Sequence, residues 1–144
     1  MQISNVLERK GRSVATVLPD DTVSHAVRLL AEQRIGAVVV EDRWQHLVGI
    51  FSERDLVRLL TQHGPVVLEE SIEKVMTHNV ITCGPSDTID DILGVMTMRK
   101  IRHVPVLDAG RLAGIVSIGD LVHDRLTEKA QEAAVLLEIS RMRA

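Results

Sequence analysis

Two segments of the chain share one chemical design. They are Ser52-Glu53-Arg54-Asp55-Leu56 and Ser117-Ile118-Gly119-Asp120-Leu121. Each follows a glycine and two apolar residues, Gly49-Ile50-Phe51 and Gly114-Ile115-Val116. Ser-x-x-Asp ahead of an apolar run predicts a helix start capped by the serine. The first turn of a helix offers unpaired N–H groups and a partial positive charge, a ready place for an anion. A serine there can donate its hydroxyl to a phosphate oxygen. An aspartate one turn later can accept from two vicinal ribose hydroxyls, as acidic residues do in dinucleotide sites. The competing reading is a capping box alone, with the aspartate returning a bond to the serine N–H. The two readings overlap, because a cap can exchange its partner for a ligand.

The two copies differ inside the motif. The first has Glu53-Arg54 and the second Ile118-Gly119. Arg54 reads either as a phosphate contact or as a solvated, ion-paired first-turn residue. Gly119 allows close approach to the backbone. A second matched pair of segments differs more. Gly36-Ala37-Val38-Val39 in the first copy stands where the second has Arg102-His103-Val104-Pro105. An arginine and a histidine beside a phosphate-binding turn suit a phosphate. The alternatives are a surface salt bridge for Arg102 and a satisfied histidine at 103. Gly36 and Ala37 leave room where Arg102 and His103 supply charge, so two unlike sites are expected.

These residues belong to a repeat. Val14-Ala15-Thr16-Val17-Leu18-Pro19-Asp20-Asp21-Thr22-Val23 lies over Val80-Ile81-Thr82-Cys83-Gly84-Pro85-Ser86-Asp87-Thr88-Ile89 without a gap. Arg34–Val40 lies over Lys100–Val106, one residue drops from the next turn, and Leu47–Ser52 meets Leu112–Ser117. The lead-ins, Ile3–Leu7 and Ile72–Met76, agree in character. Each copy reads as a short amphipathic turn, a β-branched strand (around 14–17 in the first) and a helix capped by Thr22 or Thr88. Two buried strands follow, at 37–41 and 47–51, then at 103–107 and 112–116, with polar turns between them. The Ser-x-x-Asp motif opens the last helix. The fold class is α/β (α+β), two β-α-β-β-α repeats with boundaries expected at 2–64 and 68–126. A unit of about 60 residues buries too little surface to stand alone, so the two should pack as one pseudo-two-fold module. A further helix is expected over 127–144, covering the module's own core or meeting a partner.

The order β-α-β-β-α, the Thr-x-x-Pro-x-x-Thr lead, the Arg-His-Val-Pro-Val strand and the Gly-apolar-apolar-Ser-x-x-Asp end resemble a tandem pair of cystathionine-β-synthase (CBS) domains. The resemblance spans about residues 2–126. It implies a stand-alone bacterial regulatory module of the Bateman type, not an enzyme, that pairs into a homodimer. It implies two clefts between the repeats for AMP, ADP, ATP, NAD(H) or S-adenosylmethionine. By the resemblance, Asp55 and Asp120 take the ribose and Ser52 and Ser117 the phosphate. Thr16, Thr82 and the segments Gly36–Val38 and Arg102–Val104 face the base. The unlike walls fit one AMP-like ligand and one bulkier adenosine ligand such as NAD(H). The alternative is a structural or protein-interaction module with empty clefts, since some members bind no nucleotide.

Composition agrees with a folded globular domain and narrows the classes. Hydrophobic residues make up 45% of the chain and charged (DEKR) residues 26%. Both values are near the globular average, which argues against disorder. The net charge is −3 with no long basic run, against a nucleic-acid or anionic-membrane surface. Phe51 and Trp44 are the aromatic residues, so the core and any planar-ligand site must be aliphatic. Cys83 is the one cysteine, read as a packing residue in a reducing, cytoplasmic setting. No apolar stretch reaches the ~18–20 residues of a membrane helix. His25, His46, His63, His78 and His123 lack metal-ligand spacing. Gly-rich phosphate loops and a Gly-x-Ser-x-Gly elbow are absent. Trp44, in a polar turn, has either no role or a contact role.

Overall fold

The computed structural model describes residues 1–143; Ala144, the end of the expected tail helix, lies outside the described residues. The first repeat contains β1 (Thr16–Val17), α2 (Val23–Gln33), β2 (Ala37–Glu41), β3 (Leu47–Ser52) and α3 (Glu53–His63), preceded by α1 (Ile3–Lys10). Two 3-10 turns, Pro65–Glu69 and Ile72–Lys74, lead to α4 (Ile89–Arg99), β4 (His103–Asp108), β5 (Arg111–Ser117) and α5 (Ile118–Arg143). Both long hairpins fall where the paired apolar runs predict them. Thr22 and Thr88 cap α2 and α4, accepting from the His25 and Asp91 amides at 3.1 Å each.

Sheet one has the order β1-β2-β3, with β1 parallel to β2 and β3 antiparallel to it. Sheet two has only β4 and β5. The lead segment of the second repeat therefore differs from expectation: Val80–Cys83 does not form a strand, and touches β4 through a single bridge from Cys83 to Val106. The cause is Pro105. In the first repeat the Val39 amide donates to the Ala15 carbonyl at 3.0 Å. Pro105 stands at the matching position and has no N–H, so one rung of the ladder is missing.

The units that repeat in sequence are not the units that pack. The Ile3 and Ser4 amides of α1 donate to the Asp87 and Pro85 carbonyls of the second repeat, each at 2.9 Å. The Ile72 and Glu73 amides donate to Asp21 and Pro19 of the first repeat, at 2.7 and 3.0 Å. Each lead-in thus docks on the opposite copy. One core gathers Ile3, Val6 and Leu7 with Ile89, Val104, Val116 and Leu121. The other gathers Ile72 and Met76 with Val23, Val38, Phe51 and Leu59. Gly114 and Gly49 make the docking possible. A Cβ on Gly114 would lie 2.6 Å from Leu7 Cδ2, and one on Gly49 would collide with Met76 Sδ.

The tail is not a separate helix. It continues α5 without a break, and residues 131–143 are exposed along their whole length. It covers none of the module's own core, to which α5 contributes Leu121 near its start. Leu126, Val135, Leu136, Leu137, Ile139 and Met142 face solvent. Trp44 is likewise exposed, in the turn between β2 and β3.

Candidate ligand cleft

Both Ser-x-x-Asp motifs form capping boxes. The Ser52 amide donates to Asp55 Oδ2 at 2.9 Å, the Asp55 amide to Ser52 Oγ at 3.3 Å, and the Ser52 hydroxyl to Asp55 Oδ2 at 3.0 Å. At the second motif the Ser117 amide donates to Asp120 Oδ2 at 2.9 Å and the Asp120 amide to Ser117 Oγ at 3.1 Å. The serines and aspartates are thus held on the first turns of α3 and α5, at the end of a strand that fixes their direction.

A cavity of about 280 Å³ opens beside the first motif. Its walls come from both repeats. Ser52, Arg54 and Asp55 line it from the first, and Arg102 and His103 from the second. Sequence reasoning grouped these residues by copy; the fold joins one copy's motif to the other copy's strand. Thr77, Asn79, Val80 and Ile81 supply an aliphatic and polar floor. Thr82, the expected lead residue, is exposed, and its neighbours Val80 and Ile81 line the cavity instead. Val38, Val104 and Pro105 are buried, the two valines in the cores, so only their backbone could meet a ligand. Thr16 is exposed on β1.

Four cations, Arg54, Arg58, Lys100 and Arg102, line the cavity against two acids, Glu53 and Asp55. Arg58 reaches Asp55 Oδ1 at 3.3 Å. Arg54, Lys100 and Arg102 pair with no carboxylate among the described residues. Unpaired guanidinium and ammonium groups around a pocket favour an anion. Lys100 was not read as a site residue from the sequence. It ends α4 in the left-handed region, at φ 56°, as its counterpart Arg34 ends α2 at φ 52°.

His103 is half-buried on the cavity wall, beside Gly36 of the other repeat. Burial pushes its imidazole below the ordinary value, Lys10 and Arg102 push the same way, and Glu53 and Asp120 offset part of this. The ring is therefore neutral near pH 7. It offers a hydrogen bond, and the positive charge expected of this wall comes from Arg102 and Lys100. Cys83 is buried. Burial, followed by the Asp87 carboxylate, pushes its thiol up to about 12, which suits packing and not redox chemistry.

At the second motif Asp120 is already engaged. The Lys10 ammonium donates to Asp120 Oδ2 at 2.6 Å and to the Ile115 carbonyl at 2.7 Å. Gly36 and Ala37 lie across the midline, where the Gly36 carbonyl accepts from the Glu53 amide at 3.0 Å. Ile118 answers this bond from the other side, its amide donating to the Arg102 carbonyl at 2.9 Å. Gly119 is open: the nearest atom to a Cβ there would be Ser117 Oγ, at 3.7 Å.

A family profile for the CBS domain matches residues 8–62 and again 72–126. The chain belongs to the CBS domain family. It is 45% identical to a CBS-domain containing protein of Agrobacterium tumefaciens whose crystal structure superposes with a TM-score of 0.84, covering 87% of this chain and 99% of that one. It is 27% identical to the CBS domain-containing protein YhcV of Bacillus subtilis, over 92% of this chain and 94% of the relative. The CBS domain pair of protein MJ0100, solved in complex with 5-methylthioadenosine and S-adenosyl-L-methionine, superposes with a TM-score of 0.77 at 27% identity, covering 90% of this chain and 98% of that one. No helix among the described residues is long and apolar enough to cross a membrane.

Proposed function

We propose that this CBS pair is a non-enzymatic, cytoplasmic regulatory module that binds an adenosine nucleotide in the cleft between Asp55 and Arg102. The observation that carries this reading is the shared cavity. It unites the anion-binding first turn of α3 with unpaired cations of the other repeat. The ligands in the MJ0100 complex support the adenosine class, since both named compounds carry adenosine. In this reading Asp55 exchanges its cap for the ribose hydroxyls. Ser52, Arg54 and Arg102 hold phosphate, and Val80 and Ile81 flank the base without aromatic stacking. Ser117, Gly119, Asp120 and the Gly36–Val38 segment form the counterpart cleft, with NAD(H) as a candidate for one of the two. Because the cavity is built from both repeats, a ligand there ties their relative position together. For that to signal, the ligand must prefer one arrangement over another.

A homodimer is the proposed working unit, and the solvent-facing leucines of α5 are available for such a contact. Sedimentation of wild type against Leu137→Glu tests it, with a lighter species expected for the variant. Titration calorimetry with AMP, ATP and NAD(H) tests the ligand. Heat with at least one is expected, and no heat with any of them overturns the reading.

A further inference from the structure

The two Ser-x-x-Asp motifs meet different neighbours because α1 is longer than its counterpart. Leu7 matches Met76, and Val14 matches Val80. Glu8 to Ser13 separate the first pair, where only Thr77 to Asn79 separate the second, so the first lead-in is longer. The surplus prolongs α1 to Lys10, where the second copy has only a 3-10 turn. Basic residues suit the C-terminal turn of a helix, where the carbonyl ends are negative. In the first cleft the Ile50 carbonyl accepts from the backbone amide of Thr77 at 3.0 Å. In the second, its counterpart Ile115 accepts from the Lys10 ammonium, which also takes Asp120 Oδ2. Arg9 anchors this turn: its guanidinium pairs with buried Asp124 and lies 3.9 Å from Asp120 Oδ1.

We infer that Lys10 is an internal ligand of the second cleft, holding Asp120 in competition with the hydroxyls of an incoming ribose. The second cleft therefore fills more weakly than the first. Filling it releases the end of α1 from β5 and α5, which couples that event to the lead-in helix. The adenosine class rests on the function proposed above; the Lys10 contact itself does not.

Adenosine is the probe, because it carries both ribose hydroxyls and no phosphate, so Lys10 can only compete with it. In calorimetry, Lys10→Met should raise second-site affinity by about tenfold over wild type. Adding Asp55→Ala should remove the first site and keep the second. Unchanged or weaker second-site binding in Lys10→Met overturns the inference. The contact has its own readout in carbon NMR of the Asp120 carboxyl. Burial pushes that carboxyl up, and the bonds from Lys10 and Ser117 together bring it below its ordinary value. It should stay low in Lys10→Arg and move up in Lys10→Met. If neither protein binds adenosine, the proposed function fails and the NMR decides alone: an Asp120 titration unaffected by Lys10→Met overturns the inference.

Discussion

Gly36 and His103 meet across the midline of the module: a Cβ on Gly36 would sit 2.7 Å from His103 Nε2. Gly36 leads into β2 and His103 opens β4, so the contact joins the two repeats. Gly36→Ala must push the imidazole, a movable side-chain end, towards the first cavity. The expected cost in stability is small, below about 1.5 kcal/mol, but AMP affinity should fall by roughly tenfold. Gly114→Ala strikes Leu7 instead, which is buried on the inner face of α1. It should cost about 1–3 kcal/mol in urea unfolding. If Gly36→Ala proves the more destabilising of the two, the midline packing is misjudged.

Stability should depend on His103 protonation in a defined direction. Its folded value is depressed, chiefly by burial and then by Lys10. The unfolded chain thus binds the proton more readily. The contribution is complete above the unfolded value of about 6.5 and is lost as pH falls through the folded value. Wild type should lose stability as pH falls below about 6.5, by at most ~1.4 kcal/mol per pH unit for this proton. His103→Gln should lack that component. Superimposable urea midpoints from pH 8 to 5 would refute it.

The left-handed ends of α2 and α4 separate structure from binding. Arg34 and Lys100 both sit at positive φ, where a Cβ carries a steric penalty that glycine escapes. Arg34→Gly and Lys100→Gly should each stabilise the protein, by up to about 1 kcal/mol. Lys100 lines the first cavity, so Lys100→Gly should also weaken AMP binding there. Thermal melts and AMP titrations of both variants check this. A Lys100→Gly protein that is more stable and binds AMP unchanged would remove Lys100 from the site.

Much of this was legible in residue order. The continuous apolar runs at Ala37–Val40 and Val104–Val106, the threonine caps and the doubled Ser-x-x-Asp ends all point to the observed elements. Three features were not. The strand expected at Val80–Cys83 failed because Pro105 withholds an N–H from a neighbour distant in sequence, a pairing effect that local pattern does not carry. The exchange of lead-ins was hidden because Ile3 and Ile72 are equally apolar and fit either core. The clasp of Asp120 by Lys10 depends on that exchange. Its one sequence signal is the surplus that ends in Arg9-Lys10, and Lys100 had none beyond its match with Arg34.

The central claim is that one AMP site is assembled from both repeats. A double-mutant cycle on Asp55→Ala and Arg102→Ala, read as AMP affinity by calorimetry, tests it most directly. Each single change should weaken the same binding event by about tenfold or more, and the pair should be non-additive, with a coupling of about 0.5 kcal/mol or more. AMP binding unchanged by Asp55→Ala, or two losses that simply add within error, would contradict a shared cleft.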